Sequence, residues 1–172
     1  MTKPLRKYGL LMDLPEDKRA GYYAQIVKAL AGRAALFDRD KELLIFSKPG
    51  ERDDSLPIMQ QYAIPYEETD LLLLPAEALL APTFTDFGLV SRQEHPYVFA
   101  DLAAVFRLAP APGSGRPSEP DQAFAQLQEH LLAWYAGESE GIRYGVAESH
   151  HRELMERIAV AYGCEVSWVE PE

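Results

Sequence analysis

Apolar and polar positions change period several times along the first third of the chain, and each change marks an element. Leu5 to Leu11 reads as a strand. Asp13-Leu14-Pro15-Glu16 then carries the marks of a helix start: an acidic N-cap, a proline close to the first helical position and a glutamate three residues on. Tyr22, Tyr23, Ile26, Val27 and Leu30 recur at spacings of three and four, which predicts a helix that follows at once, with Gly32 placed to end it in the left-handed conformation. Two apolar runs, 34–38 and 43–47, flank the polar Arg39-Asp40-Lys41-Glu42 and predict a hairpin. The opening unit is therefore expected to be β-α-β-β.

The pattern weakens between Pro49 and Leu108. Pro49 to Asp54 reads as loop, and Leu56 to Ile64 as a short helix or an irregular crossing. Thr69 to Pro82 reads as a strand broken at Pro75 and followed by one or two helical turns. Between Tyr97 and Leu108, Val98, Leu102 and Val105 fit a helix, while Val98, Ala100, Leu102, Ala104 and Phe106 fit a strand equally well. Pro96, suited to a first helical turn, favours the helix. Residues 109–120, rich in Pro, Gly and Ser, predict a flexible loop or linker. Beyond them Ser118 is a candidate N-cap, with Asp121 three positions on, for a helix whose stripe is Phe124, Leu127, Leu131, Trp134 and Tyr135, ending at Gly137. A strand at 142–146, a helix from near Ser149 and a strand at 165–169 close the chain, which makes the C-terminal block α-β-α-β. The expected class is α+β: a mixed or antiparallel sheet with helices mainly on one face.

With 172 residues and 47% hydrophobic positions, the chain suits one domain spanning 1–172. The single cysteine, Cys164, forms no internal disulfide, the opening residues lack a secretory pattern, and the apolar run Leu131 to Ala136 is far short of the ~20 residues a membrane helix needs. A soluble, cytoplasmic protein is expected.

Charge sharpens the expectation about partners. The net charge is −10, and no basic residue falls between Arg52 and Arg92, where Asp53, Asp54, Glu67, Glu68, Asp70, Glu77 and Asp86 are all acidic. Such a segment repels phosphate backbones and attracts basic surfaces, so a basic protein partner is expected and nucleic acid is not. Within it, Tyr62 and Tyr66 stand with Glu67, Glu68 and Asp70 around Pro65, a set of aromatic anchors beside charge that suits an interface. The leading expectation is a small acidic binding protein of the inhibitor, immunity or accessory type that masks a basic surface. The alternative structural reading has the tyrosines packed internally and the acids solvated.

Candidate chemistry is sparse. In the stretch Glu148 to Gly163, the spacing of His151, Leu154, Met155, Ile158 and Tyr162 makes one helical face, and Glu148–Arg152 and Glu153–Arg157 have the i, i+4 spacing of helix ion pairs. The residues four beyond His150 and His151 are Leu154 and Met155, so the His-Glu-x-x-His pattern of zinc proteases is excluded. Glu148 and His151 do form one Glu-x-x-His pair, with no second pair to make a di-metal bundle site. Phosphate-loop and nucleophile-elbow motifs are missing. Asp38 and Asp40, which suit a hairpin turn, are the carboxylates a divalent-metal-dependent hydrolase or nuclease would use. No catalytic residue, metal or cofactor is assigned, and the balance leans away from an enzyme. Residues Ser149 to Gly163 also resemble part of the Arg-x-x-x-His domain, a small nucleic-acid-binding module: Arg152 and Tyr162-Gly163 match its pattern, and Glu156 stands where the family has its histidine. The resemblance implies, as an alternative, nucleic-acid binding through His151 and Arg152.

Overall fold

The computed structural model describes residues 3–16 and 19–171. Its elements are β1 (Leu5–Met12), α1 (Arg19–Leu30), β2 (Leu36–Asp40), β3 (Leu43–Phe46), α2 (Pro49–Gln61), β4 (Tyr66–Leu73), β5 (Leu79–Leu80), β6 (Gly88–Val90), β7 (Pro96–Phe99), β8 (Ala103–Pro110), α3 (Pro120–Gln128), β9 (Ala133–Ala136), β10 (Arg143–Glu148), α4 (Arg152–Ala161) and β11 (Cys164–Trp168). The strands make two antiparallel sheets and the fold is α+β. Contacts divide the chain into two compact units. An N-terminal unit holds Arg6–Leu71 with Val90–His95, and a C-terminal unit holds Leu72–Leu89 and the chain from Pro96 onward, together with its start up to Leu5.

In the N-terminal unit the expected β-α-β-β forms, with strand order β2-β3-β1-β4. Leu10 of β1 lies opposite Leu44 of β3, and β2 returns onto β3 through Lys41 and Glu42, where Lys41 takes a φ of 52°. Alternation along the strands sends Leu10, Met12, Leu44 and Phe46 to one core, which Ile26 and Leu30 of α1 and Ile58 and Met59 of α2 complete. Each such side chain, when fully buried, contributes roughly 1.5–3 kcal/mol relative to exposure.

Local expectations here needed correction. The backbone N–H of Asp13 donates to the Pro65 carbonyl at 2.8 Å, and α1 is described from Arg19; the helix start expected at Asp13 to Glu16 runs into residues 17 and 18, which lie outside the described residues. Gly32 is not left-handed. Backbone N–H groups of Arg33 and Ala34 close the end of α1 on the Leu30 carbonyl, both at 2.9 Å, so no positive φ is required. Residues 49–54 are not loop but the first turns of α2, which Pro49 opens from an extended Lys48.

The C-terminal unit has strand order β11-β8-β10-β9-β5, and the end of β4 there is followed by β7 and β6. Residues 97–108 are two strands, not a helix. β8 lies between β11 and β10 and is buried on both faces from Ala103 to Phe106, which erases the alternation that would have marked it. No helical turn follows Pro75: a turn leads to the short edge strand β5. α3 ends at Gln128, and Trp134 and Tyr135 belong to β9, so the closing block is α-β-β-α-β. Ser118 does not cap α3, since Glu119 holds that position and the Ser118 hydroxyl donates to the Gly163 carbonyl at 2.8 Å.

Residues 109–120 lie wholly inside this unit and are tied to the α4–β11 turn. Ala111 N–H donates to the Gly163 carbonyl at 3.0 Å and Glu119 N–H to the Tyr162 carbonyl at 2.9 Å. Just beyond, Cys164 is buried, and burial pushes its thiol pKa up. Native protein is therefore expected to react with a thiol reagent such as DTNB far more slowly than denatured protein; equal rates would contradict the burial.

Candidate functional site

Two features of the two units bear on function. In the C-terminal unit β10 runs straight into a 3-10 turn, Ser149–His151, from which α4 starts. Glu148 ends β10 opposite Ala103 of β8, and Ser149 N–H donates to the Leu102 carbonyl at 2.9 Å, so the turn is fixed to the sheet. This geometry folds the glutamate back toward both histidines: Glu148 Oε1 lies 3.5 Å from His150 Nε2 and Oε2 lies 3.6 Å from His151 Nδ1. The His150 ring is mostly exposed and the His151 ring is partly covered, with its Nδ1 shut off from solvent and without a hydrogen-bond partner. A third imidazole, His130, meets the His151 ring edge-on at 6.4 Å between centroids.

The N-terminal unit carries the acidic strand. Tyr66, Glu67 and Glu68 open β4 and are exposed. Asp70 is different: Arg6 donates to its Oδ2 at 2.9 Å and Arg52 to its Oδ1 at 3.1 Å. Arg52 reaches over from α2, also contacts the carbonyls of Gly9 and Thr69, and comes within 3.9 Å of Glu68. Asp70 is thus held in an ion network, while Glu67 projects free of any ion pair found among the described residues. Tyr62 is half-buried, packing edge-on against Tyr22 at 6.1 Å at the margin of the unit's core.

No protein-family model, curated protein or solved structure matches the chain. Functional reading therefore rests on side-chain geometry alone.

His151 and Arg152, the pair implied by the Arg-x-x-x-His resemblance, diverge. The Arg152 guanidinium sits over the Trp168 ring at 4.8 Å rather than pairing with Glu148, and Trp168 donates its indole N–H to Glu156 at 2.9 Å. Asp38 and Asp40 are in strand β2 and not in the hairpin turn. The Asp38 carboxylate is fully buried and accepts hydrogen bonds from His95 Nδ1 and the Arg39 backbone N–H, at 2.9 and 2.8 Å. The stacked Phe37 and His95 rings, 5.7 Å apart, extend the same cluster, and Lys7 lies 3.9 Å over Phe37. Burial lowers the Lys7 pKa, with the nearby Glu51 acting in the opposite sense.

The Asp38–His95 pair was not foreseen, because 57 residues separate its members. Its place is structural: it fastens the segment Val90–His95 to β2 within one unit. The role of His130 was equally hidden. Among the described residues no helix is long and apolar enough to cross a membrane.

Proposed function

We propose that the chain is a small acidic cytoplasmic binding protein, of the inhibitor, immunity or accessory type, that masks a basic surface of a protein partner. The observation that carries this reading is the exposed run Tyr66-Glu67-Glu68 on β4, on a chain of net charge −10. Exposed Asp53 and Asp54 of α2 add to the acidic surface of the same unit. A strand presenting one exposed aromatic ring beside Glu67, and Glu68 paired only at 3.9 Å with Arg52, offers an anchor and a steering field together. Tyr62 contributes by supporting the unit from inside, and Asp70 by fixing Arg6 and Arg52 beneath the strand.

Because Asp70 holds two arginines, reversing its charge would disturb the fold as well as the surface, so the test uses Glu67→Lys with Glu68→Lys. Nuclease-treated lysate of the native host is passed over the tagged chain and over the double variant, and the captured basic protein is then measured for association rate. The double variant is expected to associate about tenfold more slowly and with a flatter salt dependence. Equal capture and equal rates for both chains would refute the acidic face, and capture seen only from a parallel lysate left without nuclease would refute the class of partner.

A further inference from the structure

We infer that Glu148, His150 and His151 form a binding site for a divalent transition-metal ion of the zinc type. Each of the three offers one donor atom, and these atoms all lie within 4.8 Å of one another; the nitrogens that face the Glu148 carboxylate are His150 Nε2 and His151 Nδ1. Two of the three separations are 3.5 and 3.6 Å. Zinc with nitrogen and oxygen ligands at its usual bond lengths holds tetrahedral donors roughly 3.4 Å apart, and each imidazole nitrogen already stands at about that distance from one of the two Glu148 oxygens, Oε1 for His150 and Oε2 for His151. The remaining edge, between the two imidazoles, closes by rotation of the His150 side chain, which is 72% exposed and free to turn.

His151 supplies the second, independent observation. Its Nδ1 is excluded from solvent and has no hydrogen-bond partner, and 3.6 Å to the carboxylate is too long for a hydrogen bond. Buried imidazole nitrogens are ordinarily satisfied, and an ion bound between Nδ1 and Glu148 satisfies this one. The backbone favours the same conclusion. Glu148 is fixed in the β10–β8 ladder, Ser149 is bonded to Leu102, and the His130 ring supports His151 from the side, so two of the three ligands are held in place before any ion arrives.

Donor chemistry selects the ion. Two imidazoles and one carboxylate suit zinc, cobalt and nickel, whereas magnesium and calcium demand oxygen ligands. Three protein ligands leave a fourth position, which water takes on the exposed His150 side of the site. The site is in the C-terminal unit and does not depend on the acidic strand of the N-terminal one, so either proposal can fail alone.

The test titrates the full chain with zinc chloride by calorimetry and, separately, with cobalt(II) followed by visible absorption. One zinc per chain is expected at micromolar affinity or tighter, with cobalt bands of the intensity that tetrahedral coordination gives and no competition from magnesium. Glu148→Gln and His151→Ala should each weaken zinc binding about 100-fold or more. His150→Ala, at an exposed position that leaves the fold intact, should weaken it as well and abolish the cobalt bands. Adventitious binding to surface histidines would survive Glu148→Gln, and that result would overturn the proposal, as would displacement of zinc by magnesium or the lack of saturable binding at micromolar zinc.

Discussion

Replacing Gly163 by alanine is expected to destabilise the C-terminal unit by roughly 2–5 kcal/mol, the sum of a left-handed backbone penalty and overpacking against a neighbour that cannot yield. Gly163 takes a φ of +67° in the turn from α4 to β11, and a Cβ built there would fall 2.4 Å from the Pro117 carbonyl oxygen. That neighbour is backbone, and the Ser118 and Glu119 bonds to this turn hold it in place. Gly113, in the same loop, has open space around it and no positive φ, so Gly113→Ala should be neutral or slightly stabilising. Urea unfolding of the three proteins decides the matter. A Gly163→Ala midpoint equal to that of Gly113→Ala would mean that the turn is not as described.

Phe106→Ala is expected to cost about 3–5 kcal/mol, enough to lower the thermal midpoint by roughly 10 °C in a chain of this size. Phe106 is completely buried in β8, packs edge-on against Trp168 at 5.5 Å, and lies against Gly145 of the neighbouring β10. A Cβ on Gly145 would come within 2.4 Å of the Phe106 ring, so the glycine exists to admit the phenylalanine. The two positions should therefore be coupled. Gly145→Ala alone destabilises, whereas in the Phe106→Ala background the added methyl enters the vacated space and its cost falls or reverses sign. Strict additivity in the double-mutant cycle would show that the ring and the glycine do not share that space.

What was legible in the sequence followed from how cleanly each element's pattern was bounded. The N-terminal β-α-β-β could be read because its strands are short apolar runs, its helix has a stripe, and polar residues punctuate each change. α2 was obscured because only Ser55, Ile58 and Met59 are buried on it and because Pro57 and the acidic residues of its early turns imitate a loop. β8 was misread because a central strand buried on both faces has no period to report. α3 was overextended because Leu131, Trp134 and Tyr135 continue its spacing by coincidence after the chain has turned into β9. At the candidate sites, adjacent histidines were visible. Their junction with Glu148 depends on a 3-10 turn that i, i+4 helix spacing did not anticipate, and His130 lies 21 residues before His151 (151 − 130), beyond the reach of local pattern. Asp70 shows the converse case: a residue legible as acidic surface is occupied by Arg6 and Arg52, both remote or out of phase in the chain.

The placement of the aromatic residues has an optical consequence. Both tryptophans, Trp134 and Trp168, pack around the core of the C-terminal unit, whereas the N-terminal unit carries tyrosines, among them Tyr8, Tyr22, Tyr23 and Tyr62, and no indole. Selectively excited indole emission therefore reports the environment of the C-terminal unit directly, and far-ultraviolet dichroism reports the backbone of both. A difference between the two signals along one denaturation curve would read out, without labels or added probes, the order in which the two units come apart.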